Sequence, residues 1–340
     1  CSGLTLTGST LSMTITLDSA AKGTFTSASL TANGFSTAAG GLTYTHAATT
    51  AAALQTAVRG LVYQATPNRV AVGSTETTTF TVAISDGGGS VSNNTTTVVA
   101  TSVNDAPTGL GNTSILGILE DAASPSGVAI SALTGLSFAD PDVSSSLGGI
   151  AVTGNTANSS TQGAWQYSAD AGAHWYAIGA VSDSSALVLS ASSLLRFVPV
   201  ADYNGTPLTL TVRAVDNTRS GYTTSAATEQ RITAVTSTNG GITAFAASTN
   251  TISTLVTAVN DAPVFTKGGN QAVLEDAGAQ TVSGWAMGIN SGAANESGQT
   301  LNFIVSNNNN ALFSSQPSID ASGNLTFTSA ANANGTATVA

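Results

Sequence analysis

Charge is what this sequence has least of. Only 8% of its 340 residues are charged, against about 25% in an ordinary soluble domain. Eight Lys and Arg face 18 Asp and Glu, for a net charge of −10. A nucleic-acid binder needs a basic face, and Lys22, Lys267 and six scattered arginines do not supply one. A disulfide-stapled scaffold needs paired cysteines, and Cys1 is alone. A membrane span needs about 20 consecutive apolar residues, and no such run exists. Histidine is nearly missing: His46 and His174 stand outside any motif, and no G-x-S-x-G elbow frames a serine. The chain reads as no enzyme.

What replaces charge is Thr, Ser, Asn, Ala and 35 Gly, with 41% hydrophobic residues. The apolar residues alternate, which separates the chain from a disordered one. Met13-Thr14-Ile15-Thr16-Leu17, Thr79-Phe80-Thr81-Val82-Ala83-Ile84 and Leu208-Thr209-Leu210-Thr211-Val212 all have period two, as does Leu4-Thr5-Leu6-Thr7. Thr and Val suit a pleated surface with one wet face, so these predict strands. Turn chemistry follows them at Asp86-Gly87-Gly88-Gly89, Asn204-Gly205, Asn239-Gly240-Gly241 and Ser322-Gly323-Asn324. Residues 225–259, broken at Asn239-Gly240-Gly241, read as a long terminal hairpin. Residues 50–60 predict a helical turn or two. The expected fold is all-β, a linear array of antiparallel β-sandwiches.

An internal repeat sets the organisation. Val103-Asn104-Asp105-Ala106-Pro107 returns as Val259-Asn260-Asp261-Ala262-Pro263, and Leu119-Glu120-Asp121-Ala122 returns as Leu274-Glu275-Asp276-Ala277. Order is kept and spacing is kept to within one residue. The expected units are a partial one over 1–103, a complete one over 104–259 and a partial one over 260–340. Each Asn-Asp-Ala-Pro is a linker in which Pro ends the extended segment and Asn-Asp turns. A linker carrying carboxylates between two rigid bodies can also collect the six to eight oxygens a hard cation wants. Asp140-Pro141-Asp142, Asp216-Asn217, Glu120 and Glu275 are oxygen partners within reach of such linkers.

The Asn-Asp-x-Pro linker, the Leu-Glu-Asp opening, the Asp-x-Asp loop and the late Val-Asp together resemble the bacterial cadherin-like tandem repeats of large surface adhesins. The segment Phe197-Val198-Pro199-Val200-Ala201-Asp202-Tyr203-Asn204-Gly205-Thr206, returning as 325–336, strengthens the resemblance. It implies immunoglobulin/cadherin-like sandwiches with calcium ions at their junctions. One junction would use Asn104, Asp105, Asp140, Asp142 and Asp216; a second would use Glu120, Asn260 and Asp261. The third unit departs from the pattern, having no Asp-x-Asp after Glu275, where the nearest acidic residue is Glu296. The first unit lacks an opening Glu, though Asp86 matches the late Asp. The first junction is therefore expected to hold an ion better than the second.

The resemblance further implies an extracellular, cell-surface stalk or adhesive fibre, whose partners are neighbouring repeats and a surface glycan or protein. Two other readings stand beside it. One is a self-assembling filament subunit, in which units lacking strands complete one another between copies. The other is a carbohydrate-binding module in which Trp165 and Trp175, flanking Ser168-Ala169-Asp170-Ala171-Gly172, stack on sugar rings; the competing reading makes these rings core. Cys1-Ser2-Gly3 satisfies the start of a mature bacterial lipoprotein. The chain nonetheless starts inside a repeat unit, so Cys1 reads as an interior residue of a longer polypeptide.

Overall fold

The computed structural model describes residues 10–225 and 227–340. Cys1 and the Leu4-Thr5-Leu6-Thr7 run lie outside the described residues. No helix among the described residues is long and apolar enough to cross a membrane. The fold is all-β, built of antiparallel sandwiches. No strand ladder among the described residues runs from one repeat unit into the next.

The first unit contains β1 (Leu11–Leu17), β2 (Gly23–Phe25), β3 (Phe35–Thr37), β4 (Thr43–Thr49), β5 (Tyr63–Ala65), β6 (Thr75–Ser85) and β7 (Ser90–Thr101). Five of them form a sheet in the order β3-β4-β1-β6-β7, and β2 pairs with β5 across the core. Alternation decides which side chains go in: Met13, Ile15 and Leu17 of β1 join Phe25, Tyr44 and Phe80 in one apolar cluster. The expected helix is α2 (Ala51–Arg59), which follows the short α1 (Ser27–Ala32). Thr50 caps α2 by accepting a hydrogen bond from the Ala53 N–H, and Leu54 and Ala57 are its buried residues. The β6–β7 hairpin closes through Asp86, whose Oδ1 accepts from Gly88 and Gly89 N–H at 3.0 and 2.9 Å.

The second unit runs through β8 (Thr113–Ser114), β9 (Ile118–Leu119), β10 (Val128–Ala129), β11 (Leu147–Asn155), β12 (Gly163–Ser168) and β13 (Tyr176–Ala177). It continues with β14 (Ala186–Ser190), β15 (Leu194–Pro199), β16 (Leu210–Asp216), β17 (Thr233–Ala234), β18 (Asn250–Ser253) and β19 (Val256–Thr257). A β10-β15-β12-β13 sheet packs on a β17-β14-β11-β16-β18-β8 sheet. Trp165, Tyr167, Leu195 and Phe197 meet Ile150, Val152, Leu187, Leu189, Leu210 and Val212 between them. The order β4-β1-β6-β7 of the first unit matches β14-β11-β16-β18 here, so the two are built alike.

The long hairpin expected over 225–259 does not form. Between β16 and β18 the chain instead makes an insert, described over 217–225 and 227–249, that adds β17 to the edge of the six-stranded sheet and covers part of its outer face. Its β17 pairs with β14, and Phe245 packs on Ala151, Ala186 and Val215. Gly240 and Gly241, both at positive φ, turn the insert toward the linker, where the Ala106 N–H donates to the Gly241 carbonyl at 2.7 Å. Thr-Ala-Val alternation gives a strand one apolar edge but does not name its partner, and here that partner is the outer face of β11, β14 and β16.

Arg213 fastens the insert. Its Nε donates to Asp183 Oδ1 at 3.0 Å and its Nη1 to the Ala246 and Ala247 carbonyls at 3.2 and 2.6 Å. Asp183 Oδ1 also accepts from Thr236 Oγ1. The Arg213 hydrogen bond, helped by that of Thr236, holds the Asp183 carboxyl below the ordinary aspartate range. A depressed pKa stabilises the fold above the unfolded-state value, and the contribution disappears as pH falls through the folded-state value. Protection of the amides at 236–248, taken relative to the intrinsic exchange rate at each pH, is therefore expected to fall on acidification below that range before that of the central core. Simultaneous loss of protection in both would contradict a local fastening.

The third unit holds β20 (Val264–Lys267), β21 (Ala279–Val282), β22 (Ala286–Asn290), β23 (Phe313–Ile319) and β24 (Leu325–Ser329), paired as β20-β22 and β21-β24-β23. Its buried apolar residues are few, with Ala286, Leu325 and Phe327 among them, while Ile304 is 91% exposed.

Candidate metal centres at the unit junctions

At the first junction the linker is held against the second unit. Asn104 Nδ2 donates to Asp216 Oδ2 at 3.1 Å and to the Thr243 carbonyl at 3.0 Å. The Asp105 N–H donates to Asp142 Oδ2 at 2.7 Å, and the Asp142 N–H to Asp140 Oδ1 at 2.8 Å. Asp216, at the end of β16, is fully buried and receives Thr218 on its other oxygen. Asp140 Oδ2 and Asp142 Oδ1 are buried with no hydrogen-bond donor. Burial pushes the Asp142 carboxyl up, and the charges of Asp140, Asp105 and Asp216 push the same way against the Asp105 N–H. The structure thus brings together all five residues expected here.

The second junction repeats this geometry with different residues. The Asp261 N–H donates to Glu296 Oε1 at 2.9 Å, as Asp105 does to Asp142. Glu296 comes from the short 3₁₀ turn Ala294–Glu296, and its longer side chain reaches where an Asp-x-Asp loop would. Asp121, Asp202 and Asp261 each place a carboxylate oxygen within 4.8 Å of the others. The Asp202 N–H donates to Asp121 Oδ1 at 2.9 Å, and both residues sit at positive φ, which Asp tolerates better than most residues. Asp261 Oδ2 and Glu296 Oε2 are buried without donors. Burial raises the Asp261 pKa, and Asp121, Asp202, Glu296 and Glu120 raise it further.

Two expectations change here. At the second junction three carboxylate oxygens approach within 4.8 Å, those of Asp121, Asp202 and Asp261, and of these residues only Asp261 was expected. Of the residues expected there, Asp261 is central, but Asn260 turns its amide to Gln299 and to the Asp261 carbonyl. Glu120 is 2% exposed, and both of its oxygens already accept N–H donors. Sequence reasoning passed over Asp121, Asp202 and Glu296 as site residues. The repeat carried the signal for the first two: Asp276 and Asn332 also sit at positive φ, and the Asn332 N–H donates to Asp276 Oδ1 at 3.0 Å, copying Asp202 and Asp121.

Both sets offer oxygen atoms only, buried in part and short of donors. That chemistry fits a hard divalent cation and not zinc or copper, which prefer nitrogen and sulfur.

The aromatic hairpin is not a two-ring platform. Trp165 is 1% exposed, donates Nε1–H to the Leu208 carbonyl at 3.0 Å, and meets Phe197 edge-on at 5.3 Å. Period two puts Trp165 and Tyr167 on the same, inward face of β12, so no ring face of Trp165 is left for a sugar. Trp175 is half-buried, with the Arg196 guanidinium 4.0 Å from its ring centre.

No protein-family model and no curated protein matches the chain. Solved structures similar to it include Drosophila N-cadherin EC1–4, at 9% identity and TM-score 0.27 over 93% of this chain. Human desmocollin-1 ectodomain follows at 12% identity and TM-score 0.25 over 74% of the chain. The zebrafish RET cadherin-like domains 1 to 4 match at 8% identity and TM-score 0.23 over 94%. The chain spans 57%, 40% and 57% of these three structures' lengths.

Proposed function

We propose that this chain is a non-catalytic, extracellular repeat region of a large bacterial surface protein, serving as stalk or adhesive fibre. Its units divide at 103/104 and 259/260, and calcium stiffens the joints between them. The observation that carries this reading is that each linker has two buried carboxylate oxygens with no donor, those of Asp140 and Asp142 at the first and of Asp261 and Glu296 at the second. A bound cation supplies positive charge where these carboxylates repel. Asp105, Asp140, Asp142 and Asp216 hold it at the first junction; Asp121, Asp202, Asp261 and Glu296 hold it at the second. Calcium's looser coordination suits ligands drawn from a linker, two loops and a 3₁₀ turn better than the octahedron magnesium demands.

Calorimetric titration and small-angle scattering, with and without chelator, test this. Binding heat is expected with affinity on the order of 10⁻⁴–10⁻³ M, the range of extracellular modules. Calcium is expected to sharpen the scattering profile through the first joint, and Asp140→Ala with Asp142→Ala to remove that change while each sandwich stays folded. No heat at millimolar calcium and an unchanged maximum dimension would sink the reading.

A further inference from the structure

The two joints differ in how much of the linker is free when no ion is considered. At the first, Ser102 still belongs to the first unit: its N–H donates to the Ser74 carbonyl and its carbonyl accepts from the Gly73 N–H, both at 2.9 Å. Asn104, Asp105 and Ala106 are already bonded to the second unit. Between them Val103 is 59% exposed, and its N–H has no acceptor among the described residues. Along the linker one residue, with two soft dihedral angles, separates the two bodies, which elsewhere line a shared cavity through Ala71 and Val72 on one side and Val143 and Asn217 on the other.

Its counterpart Val259 is not free. The Val259 N–H donates to Glu120 Oε1 at 2.6 Å. Glu120 is itself fixed, because its backbone N–H donates to the Thr257 carbonyl at 2.9 Å and Asn204 Nδ2 donates to its Oε2 at 3.2 Å. Asn295 of the third unit then reaches across the joint, with Nδ2 at 3.2 and 3.1 Å from the two Glu120 oxygens. On the far side, Asn260 and Asp261 are bonded to Gln299 and Glu296 of the third unit. No residue intervenes between Val259, bonded to the second unit, and Asn260, bonded to the third. The carboxylate is nearly buried, so each N–H donor on it makes a charge-assisted bond in a weakly screening environment.

We infer that Glu120 and Asn295 form an ion-independent clasp across the second joint, which leaves Val103 as the swivel of the chain. The residue that a cadherin-like pattern would give to calcium is here the acceptor that grips both the linker and the next unit. Asn295 is a positioning residue: it is exposed on its own unit and meets the second unit through Glu120. The clasp concerns the metal-free state, so it stands or falls separately from calcium binding.

The test is pulsed spin-label distance measurement on the full chain in excess chelator, in a Cys1→Ser background. Labels at Ala39→Cys and Ser184→Cys span the first joint; labels at Ser184→Cys and Ala321→Cys span the second. All three sites are exposed and outside both clusters. A narrow distribution is expected across the second joint and a broad one across the first. Asn295→Ala is expected to broaden the second to the width of the first, with an unchanged melting temperature. Asn295→Asp, which sets a carboxylate against Glu120, is expected to broaden it at least as far. Equal widths for the two joints in the unsubstituted chain, or a second-joint distribution indifferent to Asn295→Ala, would overturn the clasp.

Discussion

Trp165→Ala is expected to cost the second unit about 3–5 kcal/mol, the range for removing a large, fully buried aromatic. The ring is sealed between the sheets, in contact with Phe197, and its loss opens a cavity where β12 and β15 meet. The Leu208 carbonyl also loses the indole N–H that satisfies it. In a urea titration the transition of the second unit should move to a lower midpoint. That of the first unit, which has its own core around Phe25, Tyr44 and Phe80, should stay where it is. Trp175→Ala removes a half-buried ring stacked on Arg196 and should cost much less, about 1 kcal/mol for the cation–π contact. A Trp165→Ala protein with an unshifted midpoint would mean that the ring is not packed as described.

Asp121→Asn with Asp202→Asn is expected to abolish calcium binding at the second junction while tightening the metal-free joint. The two amides keep size and shape but remove two of the charges crowding Asp261. The sign of the pH dependence follows from the raised pKa of Asp261. A raised folded-state pKa stabilises the fold below the unfolded-state value, and the contribution is lost as pH rises through the folded-state value. In chelator, the joint should therefore loosen as pH rises from the carboxylate range toward neutrality. Calcium, which takes the ionised form, should bind more tightly over the same rise. The asparagine pair should flatten both trends. Calorimetry at two pH values, with the double variant beside the unsubstituted chain, reads this directly. Persistent binding heat from the second junction in the double variant would place the ion elsewhere.

Much of the architecture follows from local pattern, because period two and turn chemistry are properties of short stretches. Met13-Thr14-Ile15-Thr16-Leu17 becomes β1 with its apolar residues inward, and residues 50–60 become the capped helix α2. The repeated Asn-Asp-Ala-Pro was visible in the sequence, and the resemblance it carries named Asn104, Asp105, Asp140, Asp142 and Asp216, which the fold joins through hydrogen bonds.

The rest depended on which distant pieces meet. Alternation in 225–259 marked extended chain but did not say whether it would pair with itself or with β14 and cover the outer face of β11, β14 and β16, as it does. Alternation likewise put Trp165 and Tyr167 on one face of β12, and only the opposing sheet made that face the interior. At the second junction Asp121, Asp202, Asp261 and Glu296 lie far apart in sequence, and the missing Asp-x-Asp hid the fact that a longer side chain on a 3₁₀ turn reaches the same N–H. The sequence by itself determined strands, turns and where acidic oxygens gather. Tertiary structure alone decided which carboxylates face one another and that Glu120 holds amides, because charge crowding and hydrogen-bond saturation arise only when chains separated in sequence are brought within a few ångströms.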